Sequence, residues 1–277
     1  MKKNYEKIKS NSRPLFQIGV LIFIILLFSN IDVISLLKKP TFSASIDFKD
    51  YLLYYAFSKG SRVLGLLIDF FVLKKIRVSN KEFMFNQGNC YKDYPYWWYW
   101  FCSKILGYSN CSLVLVPIYM QFKLVMNDTF ANYYCGEYTK KDNDNITVRK
   151  INYSNIQLED ELNLIISDTY PLYENQLPDL TISKPIILIS RDNSSDFNRY
   201  DSPNLVSKVV NETRKLPQNI KKINIFATTN PKNTMNIVKN AFKLGERGNL
   251  ELITVFQQMS SDNYKRFEKK GIVIYKR

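Results

Sequence analysis

Hydrophobic positions along the chain follow two regimes. From Leu15 to Ser29 the residues are apolar without periodicity, Gln17 being the one strongly polar side chain, and a run of that length predicts a membrane helix. A second run, Tyr51–Leu73, is also long enough to span, but it carries Lys59, Arg62 and Asp69 and is followed at once by the basic stretch Lys74–Arg77. Lys59 and Arg62 lie three apart on one helical face with Asp69 two turns further on. Ionised groups at depth are costly towards lipid, so the pattern predicts a charged face lining or gating an oligomeric bundle. The residues before Pro14 include five basic side chains and one acid, which favours a cytosolic N-terminus. The expectation is a membrane anchor over residues 1–80, a hairpin with helices at 15–29 and 51–73. The alternatives are a single span with 51–73 as an interfacial helix and the rest of the chain outside the cytosol, or a cleaved signal peptide, against which stands the lack of a small-residue cleavage site.

Beyond residue 80 the second regime begins, predicting a soluble domain over 81–277. Its first part, 81–160, reads as strand-rich: Cys111–Met126 is β-branched and apolar, interrupted by Pro117, and predicts two strands or a bent one. Residues 146–153 alternate like a half-exposed strand after the polar turn Lys140–Asn145. From residue 161 the pattern is regular. Leu162–Ser167, Ile186–Ser190, Ile223–Ala227, Leu252–Phe256 and Ile272–Tyr275 are short continuous apolar runs, as expected of strands buried on both faces. Helical patterns separate them: one opening at Ser202-Pro203, one over Thr234–Leu244 capped by Asn233 or Thr234, and one over Asp262–Lys269. Strand and helix in alternation predict an α/β, Rossmann-like domain with a mostly parallel sheet over 161–277.

Composition narrows the chemistry. The formal net charge of +14 favours anionic partners or an acidic membrane surface. With no histidine, histidine-based triads and zinc sites are excluded. Cys90, Cys102, Cys111 and Cys135 fit no metal or redox spacing; two disulfides or four buried thiols are both compatible with them. All three tryptophans fall in Tyr94–Trp100, a cluster that suits core packing, a headgroup-level aromatic belt or a base-stacking platform.

In a parallel sheet of this type ligands bind at the carboxyl ends of the strands. The loops there bring Arg191 and Arg199 after the second run, Thr228, Thr229 and Asn230 before a helix start at Asn233 after the third, and Gln257, Gln258 and Tyr264 after the fourth. These are amides, hydroxyls and guanidinium groups with no nucleophile–base pair, the chemistry of holding a phosphate-bearing ligand. A G-x-G-x-x-G fingerprint is absent, which argues against a dinucleotide cofactor. No catalytic residue, metal ligand or cofactor is assigned.

The segments "KKINIFATTNPKNTMNIVKNAF" and "LELITVFQQMSSDNY" resemble the closing portion of SAVED domains, relatives of the CARF sensors. The resemblance implies a cyclic-oligonucleotide ligand and, in members that join the sensor to membrane helices, a role as effector in CBASS-type anti-phage defence. It further implies that Thr228–Asn230 and Asn233 touch ligand phosphates and that Gln257 and Tyr264 lie near a base or ribose. The partners expected are a cyclic oligonucleotide, membrane lipid and further copies of the chain, with no long nucleic acid, and the location is the inner membrane with the domain in the cytosol. Two other readings stay open. One is a type II membrane glycosyltransferase using nucleotide sugars, supported by the single confident span, the Asp142–Asp144 triplet and sequons at Asn110, Asn127, Asn145, Asn152, Asn193 and Asn211. The other is a membrane scaffold without enzymatic activity.

Overall fold

The computed structural model describes residues 10–30, 60–178, 181, 183–192, 198–243, 249–259 and 265–277. The chain divides into two compact units, Met1–Cys90 with Phe101–Asn110, and Tyr91–Trp100 with Cys111–Arg277.

The first unit is built on two long helices, α1 (Ser12–Asn30) and α2 (Gly60–Asn80). They pack antiparallel: Phe28, near the end of α1, meets Gly65, near the start of α2, while Arg13 and Gln17 reach Ser79 and Asn80 at the other end. A Cβ at Gly65 would stand 2.5 Å from the Cβ of Phe28, so only glycine allows this approach. The lone polar side chain of the first apolar run is satisfied here. Gln17 and Asn80 exchange two amide hydrogen bonds of 2.9 Å each, and Asn80 Nδ2 also donates to the Leu106 carbonyl at 2.8 Å. Leu15, Phe16, Phe23, Leu26, Val63, Leu66, Phe70 and Phe71 are all exposed, so the pair turns apolar side chains outwards. Helices are the form in which such surface is compatible with lipid, because their backbone groups are satisfied internally. Among the described residues Ser12–Ser29 is the one segment long and apolar enough to cross a membrane. The second helix was expected to end at Leu73; it continues through Lys74–Arg77 to Asn80. From its last turn, Arg77 Nη1 donates to the carbonyls of Lys104 and Ile105, and further along the chain turns at Gly107 (φ +80°), where any Cβ would meet Arg77 at 2.9 Å. A two-residue strand, β1 (Met84–Phe85), sets Phe85 against Tyr108.

The aromatic cluster forms most of a short helix, α3 (Tyr96–Lys104). Tyr99 is buried and donates to the Lys92 carbonyl at 2.8 Å, whereas Trp97 and Trp100 are exposed. Core packing therefore claims one ring of the cluster and leaves two indoles outside.

The second unit continues with β2 (Asn110–Ser112), α4 (Ile118–Met126) and β3 (Asn132–Tyr134). The strand expected over Cys111–Met126 is thus corrected. It is strand only at its start and helix from Ile118, because Pro117 sits at the helix N-cap and the apolar positions that follow bury one helical face, Met120, Phe122, Leu124 and Val125. The main sheet comprises β4 (Ile146–Ile151), β5 (Glu161–Ser167), β6 (Ile186–Arg191), β7 (Lys222–Ala227), β8 (Leu252–Phe256) and β9 (Ile272–Lys276), in the order β4-β6-β5-β7-β8-β9. The four central strands are parallel and both edge strands run antiparallel to their neighbours. Helix α5 (Pro203–Arg214) packs over β4 and β6, and α4 over β8 and β9; between them lies α6 (Pro231–Ile237), which continues as a π-helical turn, Val238–Lys243. Ser202 caps α5, its Oγ accepting from Leu205 N at 3.2 Å. No helix occupies residues 265–269, so the described part of the helical pattern expected over 262–269 is not helical; Phe267 instead packs edge-on to Phe226, which stacks on Phe256 at 4.5 Å.

Candidate functional site

At the carboxyl ends of the parallel strands the chain must leave the sheet, and the groups that hold those exits together converge on Asp168, the residue after β5. Its carboxylate is completely buried. Arg191, the last residue of β6 and 2% exposed, donates from Nε to Asp168 Oδ1 at 2.9 Å and from Nη2 to the carbonyls of Asp168 and Asn198. On the other oxygen, Oδ2, Asn233 Nδ2 donates at 2.8 Å and Asn230 donates from both its backbone N and its Nδ2 at 3.3 Å. Burial pushes the Asp168 carboxyl above the ordinary range, opposed by Asn233, Arg191 and the Asn230 amide. This buried ion pair with its amide partners ties β5, β6 and the start of α6 into one frame.

Asn230 is also the cap of α6: its Oδ1 accepts from Lys232 N and Asn233 N at 3.0 Å. The cap expected at Asn233 or Thr234 therefore lies earlier in the chain, and the first amides of that helix are already bound. Thr228 bridges strand ends, accepting from Asp168 N and donating to the Tyr170 carbonyl, while Thr229 and Thr234 share a hydroxyl hydrogen bond of 2.7 Å.

Above this frame opens a cavity of about 450 Å³. Its wall is made by Thr169 and Tyr170 after β5, Thr228–Pro231 after β7, Gln257–Met259 after β8, Leu115–Ile118 and Gln121 leading into α4, and by Tyr91, Arg199 and Lys265. Among the described residues the wall includes two cations, Arg199 and Lys265, and no carboxylate. Lys265 Nζ lies 4.5 Å over the Tyr170 ring, whose hydroxyl donates to Gln258 Oε1 at 2.6 Å. Such a site can hold an anion with apolar or flat groups attached, and among the described residues it shows no nucleophile next to a base.

The structure brings Arg199, Thr228, Thr229, Asn230 and Gln257 to this one cavity. Arg191 and Asn233 stand behind the wall in the Asp168 frame, where they position Asn230. Arg62 is exposed on α2, and Asp69 on the same helix is half-buried with Oδ1 lacking a hydrogen-bond partner among the described residues. Lys59 and Tyr264 lie outside the described residues. The sequence reading missed Asp168, although its place directly after an apolar run was the available signal. It also missed Gln121, because its segment was read as strand. Asp142 and Asp144 are paired with Lys140 and Lys141, and no cluster of metal-ligating side chains occurs among the described residues. All four cysteines are buried thiols outside any disulfide.

Among solved structures, the Acinetobacter baumannii Cap4 SAVED/CARF-domain containing receptor with the cyclic trinucleotide 2'3'3'-cAAA superposes with a TM-score of 0.43 at 12% identity over 63% of this chain. The same receptor with 3'3'3'-cAAA gives 0.43 at 10% identity, again over 63%. The chain spans about two fifths of that receptor, 40% and 41% in the two cases. Comparison with curated proteins gives no match. At the level of sequence families the match is nearly end to end: residues 1–274 fit the SMODS- and Ubiquitin system-associated 2TM effector domain, SUa-2TM, and the chain belongs to that CBASS-associated effector family.

Proposed function

We propose that this protein is a membrane-anchored sensor-effector in which the α/β unit, Rossmann-like in its parallel strands, binds a cyclic oligonucleotide in the strand-end cavity and the helical pair answers by breaching the inner membrane. The observation that carries the reading is the cavity wall itself, with Arg199 and Lys265 and no described carboxylate, placed where the parallel strands end. A ligand bearing phosphates is matched by that charge, and its bases by the Tyr170 and Tyr91 rings. Membership in a 2TM effector family supports the membrane end of the mechanism. In this reading α1 and α2 form a hairpin with both ends in the cytosol, and Asp69, with a carboxylate oxygen lacking a partner among the described residues, pairs with Arg62 of another copy. Ligand then drives opening only to the extent that it binds one assembly better than the other.

The test is dye release from vesicles carrying the full chain, challenged with a panel of cyclic di- and trinucleotides. Release by at least one member, lost in Arg199→Glu and Lys265→Glu, supports the proposal. A panel that neither binds nor releases dye sinks it.

A further inference from the structure

The cavity contains a demand that phosphates cannot meet. Gln121, on the first turn of α4, is 5% exposed and lines the cavity wall. Its Nε2 donates to the Val116 carbonyl at 2.8 Å, which fixes the amide orientation because a carbonyl can only accept. Its Oε1 is consequently the open end, shielded from solvent and without a hydrogen-bond partner among the described residues. Gln257, after β8, lines the same cavity and has a second such oxygen. The neighbouring Gln258 differs: its Oε1 accepts from Tyr170 and its Nε2 donates to the Lys265 carbonyl, so it is spent on the fold. Two buried acceptors left open in a wall otherwise knit together are unusual, since buried polar atoms are nearly always paired.

A phosphate supplies only acceptors, so these oxygens require N–H or O–H groups from another part of the ligand. Ribose hydroxyls offer one hydrogen each, whereas an exocyclic amino group offers two on a single nitrogen. Resting on the cyclic-oligonucleotide reading of the cavity, we infer that Gln121 is a specificity-determining residue: its Oε1, with Gln257 Oε1 as a second open acceptor in the same wall, accepts from the exocyclic amino group of a nucleobase. Bases bearing an amine are selected, and a base without one leaves a buried acceptor unpaired, which weakens binding by about tenfold or more. The residue reads the ligand from α4, outside the strand-end loops that hold phosphate.

Binding is measured on the full chain in detergent micelles with the tightest-binding cyclic nucleotide of an A, C, G and U panel. It is compared with two matched analogues, one lacking only the exocyclic amine, as purine riboside lacks that of adenosine, and one lacking only the 2'-hydroxyls. Wild type is expected to lose at least tenfold on deamination, and Gln121→Leu to bind the amine-bearing and amine-free forms alike. Gln121→Met, which preserves volume, should behave as Gln121→Leu does, and unchanged thermal midpoints exclude misfolding as the cause. A preference surviving in both variants, a best ligand made only of uridine, or a loss on 2'-deoxygenation without one on deamination overturns the inference and leaves the cavity reading standing. Failure of wild type to bind any member of the panel overturns both.

Discussion

Removing the carboxylate of Asp168 tests whether the buried frame at the strand ends is the structural keystone of the second unit. In Asp168→Ala the Arg191 guanidinium, 2% exposed, keeps its burial but loses the one acid it is paired with among the described residues. Breaking one partner out of a buried pair costs about 3–5 kcal/mol, because the remaining charge is neither solvated nor compensated. Asp168→Asn does not escape: whichever way the amide turns, its NH₂ faces a donor, Arg191 Nε on one side or the Asn230 and Asn233 amides on the other. Urea unfolding of the full chain in mild detergent, followed by tryptophan fluorescence, reports the transition from Trp97, Trp98 and Trp100. With a slope near 2 kcal/mol/M the midpoint should fall by about 1.5–2.5 M. Replacing both partners, Asp168→Asn with Arg191→Met, should recover most of the loss, because the stranded charge is gone. A single-variant midpoint within about 0.3 M of wild type, or a double variant no more stable than the single, refutes the argument.

Other outcomes follow from the same structure. Gly65→Leu should loosen the helical pair, since its Cβ would lie 2.5 Å from that of Phe28; overpacking of this kind costs about 1–3 kcal/mol, and Phe28→Gly, which removes the opposing Cβ, should relieve it in unfolding by mixed detergent micelles. Asn80→Ala should weaken the pair more than Gln17→Leu in the same assay, because Asn80 also holds the Leu106 carbonyl; a reversed order would show that the second contact contributes nothing. Burial pushes the Cys135 thiol up to about 11 against the pull of Lys232 and Lys239. The fold therefore holds that proton more tightly than the unfolded chain does, so the group's stabilisation is complete below the ordinary thiol value of 9.0 and is lost as pH rises through about 11. Unfolding midpoints taken across that window should fall less steeply in Cys135→Ser; parallel slopes would contradict the assignment. Because every cysteine is buried, an impermeant thiol reagent should leave the native protein unlabelled from either side, whereas Leu158→Cys, at the most exposed apolar position among the described residues (86%), should on the proposed topology be labelled once the cytosolic face is opened, and labelling without opening it would refute that topology.

Periodicity in the sequence was enough to locate the strands of the main sheet and the apolar helix. Runs such as Leu162–Ser167 and Ile223–Ala227 have no polar face, so they had to lie inside a sheet, and Leu15–Ser29 had no face to bury against a core of ordinary size. Strand direction at the edges was not legible: Ile272–Tyr275 reads like its parallel neighbours, yet β9 runs antiparallel to β8, because pairing direction depends on how the connection returns and not on the strand's composition. The same holds for Cys111–Met126, where β-branched content suggested strand and Pro117 with burial against β8 and β9 made a helix. The site shows the division most sharply. Placement after an apolar run marked Thr228, Thr229, Asn230 and Gln257 from sequence, since strand ends are where ligand loops lie. That Arg191 is spent on Asp168 while Gln121, a hundred and more residues before β8, offers a free acceptor to the same cavity was decided by the tertiary structure alone. Hydrogen-bond satisfaction is a property of neighbours in space, and nothing in a residue's own segment records whether its partner is already taken.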